Sequence, residues 1–126
     1  MSSEQESYAC SQSGSGLMKQ RKLRVRQLND DLRRTMSGGQ VLITQGVEAL
    51  GLMAVSTILC AVRHFNEFSA ANDPYDEHDF GALTSAGQRV FWKIDYYDNQ
   101  LEFGSPDPAD PNVTTRVITI MLASEY

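Results

Sequence analysis

Cysteine is scarce in this 126-residue chain: Cys10 and Cys60 are the two present, and no CxxC pair occurs. That excludes a disulfide framework, a zinc ribbon and a CxxC redox motif, and leaves two reduced thiols as the expectation. Long apolar runs are missing as well, none approaching the roughly 20 residues that a membrane span needs. The opening MSSEQESYACSQSGSG has no apolar h-region. No secretory signal is therefore read, and the expected location is the cytoplasm, away from membranes. Histidine is limited to His64 and His78, and neither stands in the HExxH zinc pattern. The GSPDP around Ser105 lacks the second glycine of a nucleophile elbow. The glycines of SGGQ precede a strand pattern instead of following one, the reverse of a dinucleotide-binding loop. No cofactor is expected, and no internal repeat is visible.

What is there is one domain's worth of chain. Apolar residues make up 41% and charged residues 21%, the balance of a globular protein able to bury a single core. The net charge of −5 hides an asymmetry. Residues 1–16 carry two acids, residues 17–36 seven Lys/Arg against two Asp, and residues 37–126 four Lys/Arg against twelve Asp/Glu. The segments thus stand at −2, +5 and −8, an acidic body preceded by a basic stretch, and the two could attract each other or each could face a different partner.

Residues 1–16 are polar and Ser/Gly-rich, which predicts a disordered tail ahead of a single α+β domain over 17–126. From Leu17 the pattern is helical, with Val25, Leu28, Leu32 and Met36 at spacings of three and four until Ser37, Gly38 and Gly39 stop it. Gln40–Thr44 reads as a short strand. Leu52, Val55, Ile58, Leu59, Val62 and Phe65 then form one stripe of an amphipathic helix, which Pro74 and its neighbours cannot continue. Phe80–Ser85, Arg89–Tyr97 and Leu101–Phe103 read as three successive strands. In the middle one Val90, Trp92, Ile94 and Tyr96 share the core face, and Phe91, Lys93, Asp95 and Tyr97 share the other. The final NVTTRVITIMLASEY is rich in β-branched residues, but Asp110 as N-cap before Pro111 is a helix-start signature, and a helix is predicted. The expected architecture is a mostly antiparallel sheet of about four strands with helices packed on one face.

Three constellations carry possible chemistry. Asp73, Asp76, Glu77, His78 and Asp79, with Tyr75 among them, form the densest group of metal-capable side chains, and Asp76, Glu77, His78 and Asp79 are the metal candidates. The reading taken is a turn-capping or partner-binding loop, with a metal site and acid/base catalysis as alternatives, because the spacing matches neither an EF-hand nor a zinc helix. His64 is read as a helix-end histidine near the C-terminal dipole. Pairings of His64 with Asp79 or of His78 with Asp95 would suit a general base, but no nucleophile signal accompanies them. The basic stretch Lys19, Arg21, Lys22, Arg24 and Arg26 could neutralise phosphates, yet it stands alone, without interleaved aromatics. Phe91 and Tyr97 beside Lys93 and Asp95 mix aromatics with charge, as contact surfaces do.

LNDDLRRT, GGQVLITQGVEAL, AVRHFNEF, NDPYDEHDFG, RVFWKIDYYD and GSPDPADPNVTTRVITIMLASEY, in this order, resemble a family of small bacterial proteins classed as a domain of unknown function, often found among plasmid and other mobile-element genes. The resemblance covers about residues 25–126. The family's acidic motif has Asp where this chain has Ala71 and Gly where it has Asp76. No catalytic residue is implied. What the resemblance implies is a cytoplasmic accessory protein, for which protein interaction is a more natural role than metabolism. The expectation is thus a non-enzymatic protein-binding module, with a metal-dependent enzyme on residues 73–79 and a nucleic-acid binder on the basic helix as alternatives.

Overall fold

In the computed structural model, which describes residues 13–126, the chain begins with a long helix, α1 (Ser13–Thr35). The tail expected over 1–16 falls largely on residues 1–12, outside the described residues, and α1 takes in 13–16. There follow β1 (Gln40–Ile43), a one-turn helix α2 (Gln45–Glu48), α3 (Leu52–Arg63), β2 (Phe80–Ser85), β3 (Gln88–Tyr97), β4 (Thr115–Leu122) and a 3₁₀ turn at Ala123–Glu125. The strands form one sheet in the order β1-β4-β3-β2, with β1 parallel to β4 and the other pairs antiparallel. This is the expected α+β domain, with helices on one face of a four-stranded, mostly antiparallel sheet.

Two elements differ from their sequence reading. The C-terminal segment is not a helix but β4, a central strand. Asp110 does cap, its carboxylate accepting the Asn112 N–H at 2.9 Å, but the cap closes a turn. Beyond it the β-branched run decides, because β4 is central in the sheet and side chains from both of its faces, Val117, Ile118, Ile120 and Met121, are buried among their neighbours. Leu101–Phe103 is not a strand. Leu101 takes φ 60, the Asp98 carboxylate accepts the Glu102 N–H, and the chain reverses to a single bridge between Tyr97 and Gly104. The fourth strand of the sheet therefore comes from the C-terminal segment. The helix α2 carries no periodic signal, being shorter than two turns.

The core lies between the inner face of the sheet and the helices. Val90, Trp92 and Ile94 of β3 meet Ile118 and Ile120 of β4, Ile58 and Val62 of α3, Phe65, Val47 of α2 and Leu32 of α1. The register places Gly81 of β2 opposite Trp92, and a Cβ at residue 81 would overlap the indole, so only glycine lets the ring lie flat there. The amphipathic stripe of α3 is real from Val55 onward, but its first member, Leu52, sits on the opening turn and is 85% exposed. Ile118→Ala is expected to lower the unfolding free energy by about 2–5 kcal/mol and Leu52→Ala by no more than about 0.5 kcal/mol, read by urea denaturation of both variants.

Candidate functional site

The spacing of polar residues on α1 builds the floor of the site. Asn29 and Arg33 recur at helical intervals within the apolar stripe of Val25, Leu32 and Met36, and both are fully buried. Arg33 lies against the end of α3, donating to the carbonyls of Val62 (3.2 Å), Arg63 (3.2 Å) and Phe65 (2.8 Å). The Val62 carbonyl also accepts the Phe65 N–H at 3.2 Å, the other two belong to the last residue of α3 and to the chain just past it, and a cation is favoured at a helix C-terminus. The guanidinium also bonds the Asp30 carboxylate at 3.0 Å and stands 5.4 and 5.3 Å from the ring centroids of Phe68 and Trp92. Burial pulls the Arg33 pKa down, yet the Asp30 bond opposes that shift.

Above this floor lies the loop after α3. Asp73 is buried and its carboxylate accepts the backbone N–H of Glu77 (3.1 Å) and His78 (3.2 Å), so it holds the loop from inside. Glu77 turns inward, accepting the Tyr96 hydroxyl at 2.8 Å, while the Asn29 amide donates to that same hydroxyl at 2.8 Å and to the Glu77 carbonyl at 3.0 Å. Burial raises the Tyr96 pKa far beyond the ordinary phenol value, which keeps the proton it donates. Arg116 of β4 joins through the Asn29 side-chain oxygen at 2.8 Å, lies over the Tyr96 ring and donates to the Pro108 carbonyl.

His78 is the point where loop and helix meet. Its ring stacks on Phe68 with centroids 3.7 Å apart and planes 4° from parallel. Its Nδ1 is 2.9 Å from Asp30 Oδ1, and because a carboxylate only accepts, Nδ1 carries the proton. Its Nε2 faces Asp73 at 3.7 Å and Asp76 at 3.9 Å. Asp76 and His78 both take φ 58, in the left-handed region that favours glycine. Asp76 is exposed and pairs with Arg26 of α1 at 2.7 Å. These groups border an open cleft of about 360 Å³, lined also by Phe68, Ser69, Ala70 and Pro74.

Of the four sequence-proposed metal candidates, Asp76 and His78 converge, joined by Asp73, with all donor atoms within 4.8 Å. Glu77 is drawn away to Tyr96. Asp79 is half-buried ahead of β2, its carboxyl pushed above the ordinary range first by burial and then by the nearby Glu77 charge. Tyr75 is exposed. His78 pairs with Asp30 and not Asp95, and His64 ends α3 with Nδ1 2.9 Å from the Cys60 carbonyl. Along the basic stretch, Arg21 is tied to Asp107 (2.5 Å) and Arg26 to Asp76. Lys19, Lys22 and Arg24 are exposed and make no salt bridge among the described residues.

Phe91, Lys93, Asp95 and Tyr97 lie on the outer face of β3, where Lys93 bonds Asp95 at 2.5 Å. That bond, above all, raises the Lys93 pKa. Sequence reading missed the rest of this patch, Phe80 and the C-terminal Tyr126, which with Phe91 form a trio with centroids 5.4 to 6.1 Å apart. It also missed Asn29, Asp30 and Arg33, although the first and last fall inside an apolar stripe, which was the available signal.

Comparison with known families decides the relationship. Residues 43–125 match the family described as protein of unknown function (DUF3768). The chain belongs to this family. No curated protein and no solved structure matches it. The DUF3768 segment contains Asp73, Asp76, His78, Tyr96 and Arg116, while Asn29, Asp30 and Arg33 come from α1, ahead of the matched residues.

Two outcomes follow. Arg33→Ala removes the side-chain donor from the carbonyls at the end of α3 and takes from the half-buried Asp30 its nearest full charge, leaving the exposed Arg34 at 4.0 Å, and is expected to cost roughly 3–5 kcal/mol by urea unfolding. For Asp79 the folded pKa lies above the unfolded one, so the folded state holds the extra proton in the window between them, and stability falls as pH rises through that window. Asp79→Asn should therefore exceed the wild type in thermal stability at pH 7 and lose that advantage at about pH 3. An equal gap at both values would contradict it.

Proposed function

We propose that the chain is a non-enzymatic protein-interaction module that docks a partner on the outer face of its sheet. The observation that carries this reading is the Phe80, Phe91 and Tyr126 trio on the face that no helix covers. Phe91 and Tyr126 are aromatic anchors of the kind that dominate binding energy, and Leu42 of β1, half exposed, extends the same face toward the opposite edge. Lys93, Asp95 and Tyr97 supply the polar border that such a patch needs.

The occupant is a heterologous protein with a basic surface and an apolar anchor. Residues 37–126 carry four Lys/Arg against twelve Asp/Glu, and a surplus of that sign steers a positive partner over a Debye length of about 8 Å at physiological salt. The acidic loop contributes through this field more than by contact, since Asp73, Glu77 and His78 are occupied inside the fold. The setting that goes with this role is the bacterial cytoplasm, as an accessory protein of plasmids and other mobile elements, in keeping with the resemblance of the motifs.

The test is capture on the immobilised chain, identification of what is retained, and titration of the purified partner. Phe91→Ala should keep cooperative unfolding and weaken binding tenfold or more, about 1.4 kcal/mol. Association should also slow as salt rises. Equal affinity for Phe91→Ala and the wild type, or self-association through this face by sedimentation, would overturn the reading.

A further inference from the structure

We propose that Asp73, Asp76 and His78 bind one first-row divalent cation, of the Mn²⁺ or Zn²⁺ kind, at the mouth of the cleft beside Phe68. This inference is independent of the outer sheet face, since all its groups belong to the loop after α3 and to α1.

The argument starts from the imidazole. Nδ1–H is committed to Asp30 Oδ1 at 2.9 Å, which leaves Nε2 as the ring's ligand nitrogen. Nε2 stands 3.7 Å from Asp73 Oδ2 and 3.9 Å from Asp76 Oδ1, with no hydrogen bond to either. Two carboxylates and a ring nitrogen this close repel unless a positive species, a metal ion or a proton, stands among them. The separations suit a metal ion: donors about 2.1 Å from a tetrahedral ion stand about 3.4 Å apart. Asp76, the exposed member, closes the difference by side-chain rotation.

The surroundings resemble those of a metal-binding histidine. Such a ring donates its other nitrogen to a carboxylate, which fixes its tautomer and raises its basicity. Asp30 takes that part, and Asp30 is itself held by the buried Arg33 at 3.0 Å. Stacking on Phe68 fixes the ring plane. Asp73 is locked by two backbone N–H donors, so two of the three donors are in place before any ion arrives. Two carboxylates and one imidazole favour a hard or borderline divalent ion over a soft one. The cleft leaves room for water or a small ligand to complete the coordination.

Arg26 competes for the same carboxylate, holding Asp76 Oδ2 at 2.7 Å, but leaves Oδ1 turned toward His78. A shared proton on Nε2 is the other way to satisfy the three groups, and the experiment separates it from a metal. The full chain, freed of metal by chelation, is titrated calorimetrically with MnCl₂ and with ZnCl₂, and Mn²⁺ binding is followed by electron paramagnetic resonance. The expected result is one ion per chain at micromolar concentrations, with nitrogen coupling from the imidazole. Asp76→Asn, which alters an exposed side chain and leaves the core intact, should weaken binding at least tenfold. Asp30→Asn should weaken it tenfold to a hundredfold, and His78→Gln should abolish the nitrogen coupling. No binding of either ion up to millimolar concentration, or undiminished binding by Asp76→Asn, would overturn the proposal and leave the proton as the occupant.

Discussion

One guanidinium holds the helical layer to the loop. Arg33 enters the interior from α1, donates to three carbonyls at and just past the end of α3, and binds Asp30 on its own helix. An arginine suits this place because its planar fork can serve several acceptors at once, where an ammonium would offer a single charged point. Its charge is neutralised by one carboxylate and by the carbonyl end of a helix, and flanked by two aromatic faces. The same carboxylate orients His78, so the placing of the imidazole follows from the packing of two helices.

A second chain of contacts runs parallel to the first. Asn29 links the Glu77 carbonyl, the Tyr96 hydroxyl and Arg116, tying helix, loop, β3 and β4 through one amide that uses both its donor and its acceptor. Such networks are strong only when every member is satisfied. Here the acidic residues of the loop spend most of their capacity inward, on backbone N–H groups and a phenol. The family match begins at residue 43, so α1 supplies partners to loop residues from outside the matched segment.

The parts legible in sequence were those governed by short periods. The alternation of Val90, Trp92, Ile94 and Tyr96 against Phe91, Lys93, Asp95 and Tyr97 marked both faces of β3, and the three-four spacing marked α3. What stayed hidden was set at long range. The N-cap pair Asp110 and Pro111 is a local signal, whereas the strand that follows is decided by burial between β1 and β3. The bond between Asp30 and His78 joins residues 48 apart in the chain, and no spacing rule reaches that far. Buried Asn29 and Arg33 look like solvated polar residues unless their helical positions are plotted against Val25, Leu32 and Met36.

The order of the strands has a consequence for how the domain comes into being. β4 is the last strand in the chain and a central one in the sheet, paired on one side with β1, 77 positions earlier by the Gln40 to Val117 register. Until it has been synthesised, β1 has no neighbour and the β2–β3 hairpin exposes one edge of Trp92's strand. The nascent domain therefore waits with an open apolar surface, and closing it joins strands 77 positions apart in the sequence. Topology of this kind slows folding and lengthens exposure to aggregation. Shielding of the open sheet by a chaperone until β4 arrives would shorten that exposure.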